Sequence, residues 1–145
     1  MSLSDLYKQY HEQVQFLMIY IREAHPVNGW WFGEGLQGWI MQRMYPQAAI
    51  DIYDPITIEE RRAAAGRCEA SLQYGIRTYV DEMDDPVSKA YAAKPTRLYL
   101  VGLDGIVTYA GGLGPWGFKP DQLKQAIDAY LGQMSTAISP ETSLS

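Results

Sequence analysis

A chain of 145 residues is long enough for one domain with its own core. Its 47% hydrophobic and 20% charged content is that of an ordinary globular protein. A net charge of −5, with twelve Lys and Arg scattered among seventeen acids, excludes the clustered basic surface that nucleic-acid binding needs.

No apolar run is long enough to span a bilayer, and the start lacks the basic-then-apolar order of a signal peptide. A cytoplasmic protein with no membrane or nucleic-acid partner is expected. Cys68 is the single cysteine, so an internal disulfide and a cysteine-based zinc cluster are both excluded. The two histidines, His11 and His25, are not spaced with carboxylates for a metal, and none is expected.

In chain order, Leu3, Leu6, Tyr7 and Tyr10 repeat at helical spacing and predict a helix over 3–13. Residues 14–21 form a nearly continuous apolar run, the pattern of a parallel strand covered on both faces. Residues 25–56 are irregular and rich in Pro, Gly and aromatics, with a short helix near 36–44 suggested by Leu36, Ile40 and Met44. Thr57 and Glu60 make a capping box that starts a helix, with Ala64, Cys68 and Leu72 on one face and Gly75 as its stop. A second strand is predicted over 76–80 and a short helix over 86–93. Runs 97–103 and 106–110 alternate around Asp104-Gly105, a hairpin signal. The glycine-rich stretch 111–117 reads as a tight backbone path packed under Trp116 and Phe118. Pro120 opens a final helix with Leu123, Ile127 and Leu131 on its buried face. Residues 135–145 are small and polar and read as a flexible tail to a domain over 1–134.

This order matches a thioredoxin-like α/β fold, a central mixed sheet flanked by helices, with the first strand of its opening βα unit missing. In open α/β sheets, ligands bind beyond the carboxyl ends of the parallel strands. Glu23 and His25 lie just beyond the first predicted strand and share a face if the chain stays extended. A carboxylate there can fix the imidazole tautomer and raise its pKa, which suits an acid/base pair. Spacing alone favours a plain polar loop that happens to hold a histidine. Pro95 directly precedes the hairpin, where thioredoxin-like proteins place a cis proline facing the active site; a trans proline that merely starts the strand is the alternative. Cys68, mid-helix on the apolar stripe, reads as a small hydrophobe.

Several collinear stretches resemble the iodothyronine deiodinase family. They are Phe16-Leu17-Met18-Ile19-Tyr20-Ile21-Arg22-Glu23-Ala24-His25 leading to Gly29-Trp30, Val80-Asp81-Glu82-Met83-Asp84, Tyr91 through Tyr99, and Tyr109 through Gly112 with Gly114 and Pro115. The resemblance covers nearly all of 3–132, and Glu-Ala-His ahead of Gly-Trp is its most specific phrase. It implies a thioredoxin-like fold and reductive removal of iodine from aromatic substrates by a selenocysteine or cysteine. It further implies catalytic roles for Glu23 and His25 and a substrate-binding region at Arg97, Pro95 and Trp30. No cofactor is expected beyond an external thiol reductant; the partners implied are that thiol and a small-molecule substrate, and a homodimer is compatible with them. Pro55 stands where animal members place a second histidine, and Asn28 where an acid precedes Gly-Trp. The family nucleophile belongs at the end of the missing strand, upstream of Met1. Selenocysteine is encoded by a codon normally read as stop, so a frame restarted at the next methionine would omit it. Two functions are therefore expected: an oxidoreductase on a halogenated aromatic or peroxide, read short, or a nucleophile-free binding module.

Overall fold

The computed structural model describes residues 1–22 and 54–138. The described residues form four helices and four short strands: α1 (Leu3–Tyr10), β1 (Met18–Tyr20), α2 (Ile58–Leu72), β2 (Thr78–Val80), α3 (Pro86–Ala90), β3 (Tyr99–Val101), β4 (Val107–Ala110) and α4 (Pro120–Ile138). Contacts divide the chain into two compact units, Tyr7–Pro95 and Met1–Leu6 with Thr96–Ser145.

In the unit Tyr7–Pro95, β1 and β2 pair in parallel, with Met18 opposite Thr78, Ile19 opposite Tyr79 and Tyr20 opposite Val80. The cap at the start of α2 forms at Thr57, with the Glu60 side chain reaching Ile56, one residue before the N–H that a capping box uses. The Thr57 hydroxyl accepts from the Glu60 N–H at 3.2 Å, and the Glu60 carboxylate accepts from the Ile56 N–H at 2.8 Å. The helix ends at Gln73 in the left-handed region rather than at Gly75. Its buried residues are Arg61, Ala64 and Ala65, while Cys68 and Leu72 are only half-buried. Among the described residues of this unit, Tyr10 and Ile76 are also buried. Tyr7 meets the Phe16 ring edge-on at a centroid distance of 5.6 Å.

The first strand was expected to be covered on both faces. Ile19 and its register partner Tyr79 are instead exposed, as is Leu17. Among the described residues α2 packs against β2, and a helix covers one face of a two-stranded ladder.

In the second unit, β3 and β4 form the expected antiparallel hairpin. Leu100 faces Tyr109 and Val101 faces Val107, so Thr108 is an extra residue on β4, a bulge. The Asp104-Gly105 turn is made as predicted. Gly105 adopts φ +80°, the Gly102 N–H donates to the Ile106 carbonyl at 2.8 Å, and the Asp104 carboxylate accepts from the Ile106 N–H at 3.0 Å. The Leu103 N–H donates to the Tyr130 hydroxyl at 2.8 Å, tying the turn to α4. Leu100, Leu123 and Ile127 are the buried apolar residues of the hairpin and α4. Leu131 is half-buried. Helix α4 continues through Ile138, so residues 135–138, expected as the start of a tail, are helical.

A central mixed sheet was expected, with the hairpin beside the parallel pair. Among the described residues the strands form two separate two-stranded ladders. A continuous sheet needs a hydrogen-bonded neighbour on the second edge of β1 or of β3, and no described strand occupies either. The short helix expected near 36–44 lies outside the described residues.

Candidate functional site

The carboxyl ends of β1 and β2 carry a charged network. Asp81, directly after β2, donates its N–H to the Tyr20 carbonyl at 2.9 Å, extending the ladder by one bond. Its carboxylate is 2% exposed and accepts three backbone N–H bonds, from Glu82 at 3.0 Å, Val87 at 3.1 Å and Ser88 at 2.8 Å. Asp81 therefore caps the start of α3. Asp85, the residue before Pro86 and the expected place for a cap, makes no such bond with its side chain. That side chain turns to Arg61.

Arg61 is 1% exposed. Its Nη1 donates to the Glu82 carbonyl at 2.6 Å, the Asp85 carboxylate at 2.8 Å and the Asp81 carbonyl at 3.3 Å. One buried guanidinium thus fixes the 81–85 turn to α2. Its Nε is buried without a hydrogen-bond partner.

Arg22, two residues past β1, donates Nη2 and Nε to one oxygen of Asp54 at 2.6 and 3.2 Å. This bond, then the charges of Asp54 and Asp85, raises the Arg22 pKa above its ordinary value. Neither this pair nor the Arg61 network was expected from sequence. Asp54 is 32 positions away from Arg22, and no periodicity marks Arg61, which follows two glutamates and precedes another arginine.

Pro95, the last residue of the first unit, and Arg97, in the second, are two residues apart in sequence. The Lys94–Pro95 peptide bond is cis, as the thioredoxin-like reading expects, and so is Gly114–Pro115, which was not foreseen. Arg97 is half-buried, donates Nε to the Gly111 carbonyl at 2.6 Å and lies 5.3 Å from the centroid of the Tyr99 ring. Arg97 and Tyr99 are two residues apart in extended chain and share a face. The loop 111–117 was expected to pack under Trp116 and Phe118. Phe118 is half-buried, but Trp116 is 83% exposed. The tightness of the loop has another cause. A Cβ on Gly112 would stand 3.0 Å from the Gly117 Cα, so the two backbones touch directly and the indole is not needed to close the loop.

Of the predicted site residues, Pro95 and Arg97 are placed by the structure, whereas Glu23, His25 and Trp30 lie outside the described residues. Among the described residues no cluster of His, Cys, Asp or Glu is arranged to hold a metal ion. No described helix is long and apolar enough to cross a membrane.

With this geometry in view, comparison with known proteins decides the family. A sequence model described as iodothyronine deiodinase matches residues 2–131. The chain belongs to the iodothyronine deiodinase family. It is 36% identical over 117 residues to a thyroxine 5-deiodinase of Aquarana catesbeiana, covering 79% of this chain and 37% of that protein. The corresponding enzyme of Sparus aurata is 34% identical over 122 residues, covering 84% and 40%. That of Homo sapiens is 31% identical over 137 residues, covering 91% and 38%. The chain spans about two fifths of the length of the curated deiodinases it matches.

Proposed function

We propose that this chain is the greater part of a thioredoxin-like, deiodinase-type redox domain acting on a halogenated aromatic or a peroxide. In this reading the nucleophile, a selenocysteine or cysteine, comes from a strand of a longer protein that pairs with the second edge of β1 or of β3. The observation that carries the reading is the family match over 2–131 together with Arg97, held by the Gly111 carbonyl two residues after Pro95.

The chemistry balances as follows for an aryl halide. The selenolate or thiolate takes the halogen, and the ring carbon takes a proton relayed through His25. Glu23 holds the imidazole in the tautomer that can deliver it. Arg97 holds an anionic group of the substrate. An external thiol then displaces halide from the oxidised nucleophile to form a mixed disulfide with it, and a second thiol attacks the first thiol's sulfur, leaving as a disulfide with it and freeing the nucleophile in its reduced form.

A second reading, a binding module without redox chemistry, rests on Cys68 being the single thiol of the sequence. In-frame translation of the transcript upstream of Met1 separates the two. The redox reading expects a cysteine codon, or a stop codon with a selenocysteine insertion element. That longer frame, made with cysteine at the nucleophile position, should release iodide from an iodinated aromatic in the presence of dithiothreitol. His25→Ala in it should slow release about 10²-fold or more. A longer frame with neither codon, or one that turns over neither an iodinated aromatic nor a peroxide, overturns the redox reading.

A further inference from the structure

Tyr109 lies on β4 opposite Leu100 and is half-buried. Its hydroxyl is buried and has no hydrogen-bond partner among the described residues. An unpaired buried hydroxyl costs free energy, and phenylalanine would carry the same ring without that cost. The oxygen is set against the α-carbon of Gly111. A Cβ on Gly111 would stand 3.3 Å from the Tyr109 Oη and 3.2 Å from the Leu98 carbonyl oxygen, so the hydroxyl closes the space beside that carbon. The same residue holds Arg97. The Gly111 N–H donates to the Leu98 carbonyl at 2.8 Å, and the Gly111 carbonyl accepts from Arg97 Nε at 2.6 Å. All four residues belong to the unit that carries the hairpin. Residue 111 is thus held at its N–H, its α-carbon and its carbonyl. A glycine has no side chain to restrict its own dihedral angles, and the Tyr109 oxygen restricts them from outside. A guanidinium tied at Nε is fixed only as well as the carbonyl it is tied to.

We propose that Tyr109 is a positioning residue for Arg97. Its hydroxyl stops the Gly111 peptide from turning, and the carbonyl so fixed sets where the guanidinium stands. The proposal rests on the redox reading above only for what Arg97 does; the chain Tyr109, Gly111, Arg97 is a property of this hairpin and can be measured without turnover.

The test uses the 145-residue chain and the Nε–H signal of Arg97 in proton–nitrogen correlation spectra, assigned by its loss in Arg97→Lys. Tyr109→Phe removes the oxygen alone. It should speed exchange of that proton with water about fivefold, the change expected on loosening one hydrogen bond. It should melt no lower than the parent, because the lost hydroxyl is unpaired. Gly111→Ala should speed exchange in the parent and have a smaller effect in the Tyr109→Phe background, where its methyl no longer meets the oxygen. In the longer frame with cysteine at the nucleophile position, Tyr109→Phe should raise KM for an iodinated aromatic about fivefold and leave kcat within about twofold. Exchange unchanged in Tyr109→Phe overturns the proposal. Faster exchange that comes with a lower melting temperature also overturns it, by making the hydroxyl an ordinary core contact. Additive effects of the two substitutions overturn it as well, since the oxygen and residue 111 then act independently. Faster exchange in the short chain, with no turnover by the longer frame, upholds the positioning and overturns the redox reading.

Discussion

Arg61 is a charge that the fold has taken out of water and used as a brace. Burying a guanidinium is costly unless its donors are used, and here Nη1 serves two carbonyls and a carboxylate on the 81–85 turn. Removing it strands the Asp85 carboxylate in a half-buried place and leaves the Asp81 and Glu82 carbonyls without this donor. Arg61→Met is therefore expected to destabilise the chain by about 3–5 kcal/mol. Asp85→Asn should cost less, about 1–2 kcal/mol, because the two carbonyls still hold the guanidinium. Urea unfolding of both variants checks the order. An Arg61→Met protein as stable as the parent would mean that the turn holds itself, through Asp81 and α3 alone. The same contrast explains why sequence did not reveal this part of the site. A buried arginine and an aspartate that caps a helix from five residues before its start have no local signature, whereas Pro95 and Arg97 sit beside a recognisable hairpin.

At the scale of elements, what sequence made legible were the local hydrogen-bonded devices. The Thr57–Glu60 cap, the Asp104-Gly105 turn and Pro120 each fix backbone within a few residues, and each occurs where it was read. A further device of this kind, the Ser2 hydroxyl accepting from the Asp5 N–H at 3.1 Å at the start of α1, is equally local in sequence. Strand extent and burial were not legible in the same way. The apolar run over 14–21 contains only three ladder residues, because ladder length depends on a partner distant in sequence and burial depends on what packs above it. The cap gives a clean measurement. Thr57→Ala removes the hydroxyl that accepts from the Glu60 N–H and should cost about 1 kcal/mol, seen as a lower urea midpoint with unchanged m-value. Thr57→Ser, which keeps the oxygen, should remain within about 0.5 kcal/mol of the parent. Equal losses in the two would show that the methyl group, not the acceptor, matters.

At the scale of the whole molecule, the sequence holds one thiol, and its position decides what this chain can do by itself. Reductive dehalogenation needs a thiolate or selenolate that is reachable and favoured in its ionised form. Cys68 is half-buried on α2, ten residues past the helix start at Ile58, too far along for the amino-terminal dipole to favour an anion. The carboxyl end of β2, where Arg61, Asp81 and Asp85 meet, holds no cysteine. The 145-residue chain is therefore expected to release no iodide from an iodinated aromatic and to reduce no peroxide with dithiothreitol. The second edges of β1 and β3, unpaired among the described residues, should also make the chain prone to concentration-dependent association, measurable by sedimentation. Thiol-dependent turnover by the chain alone, abolished by Cys68→Ala, would move the reactive centre to α2 and remove the need for a nucleophile from any further strand.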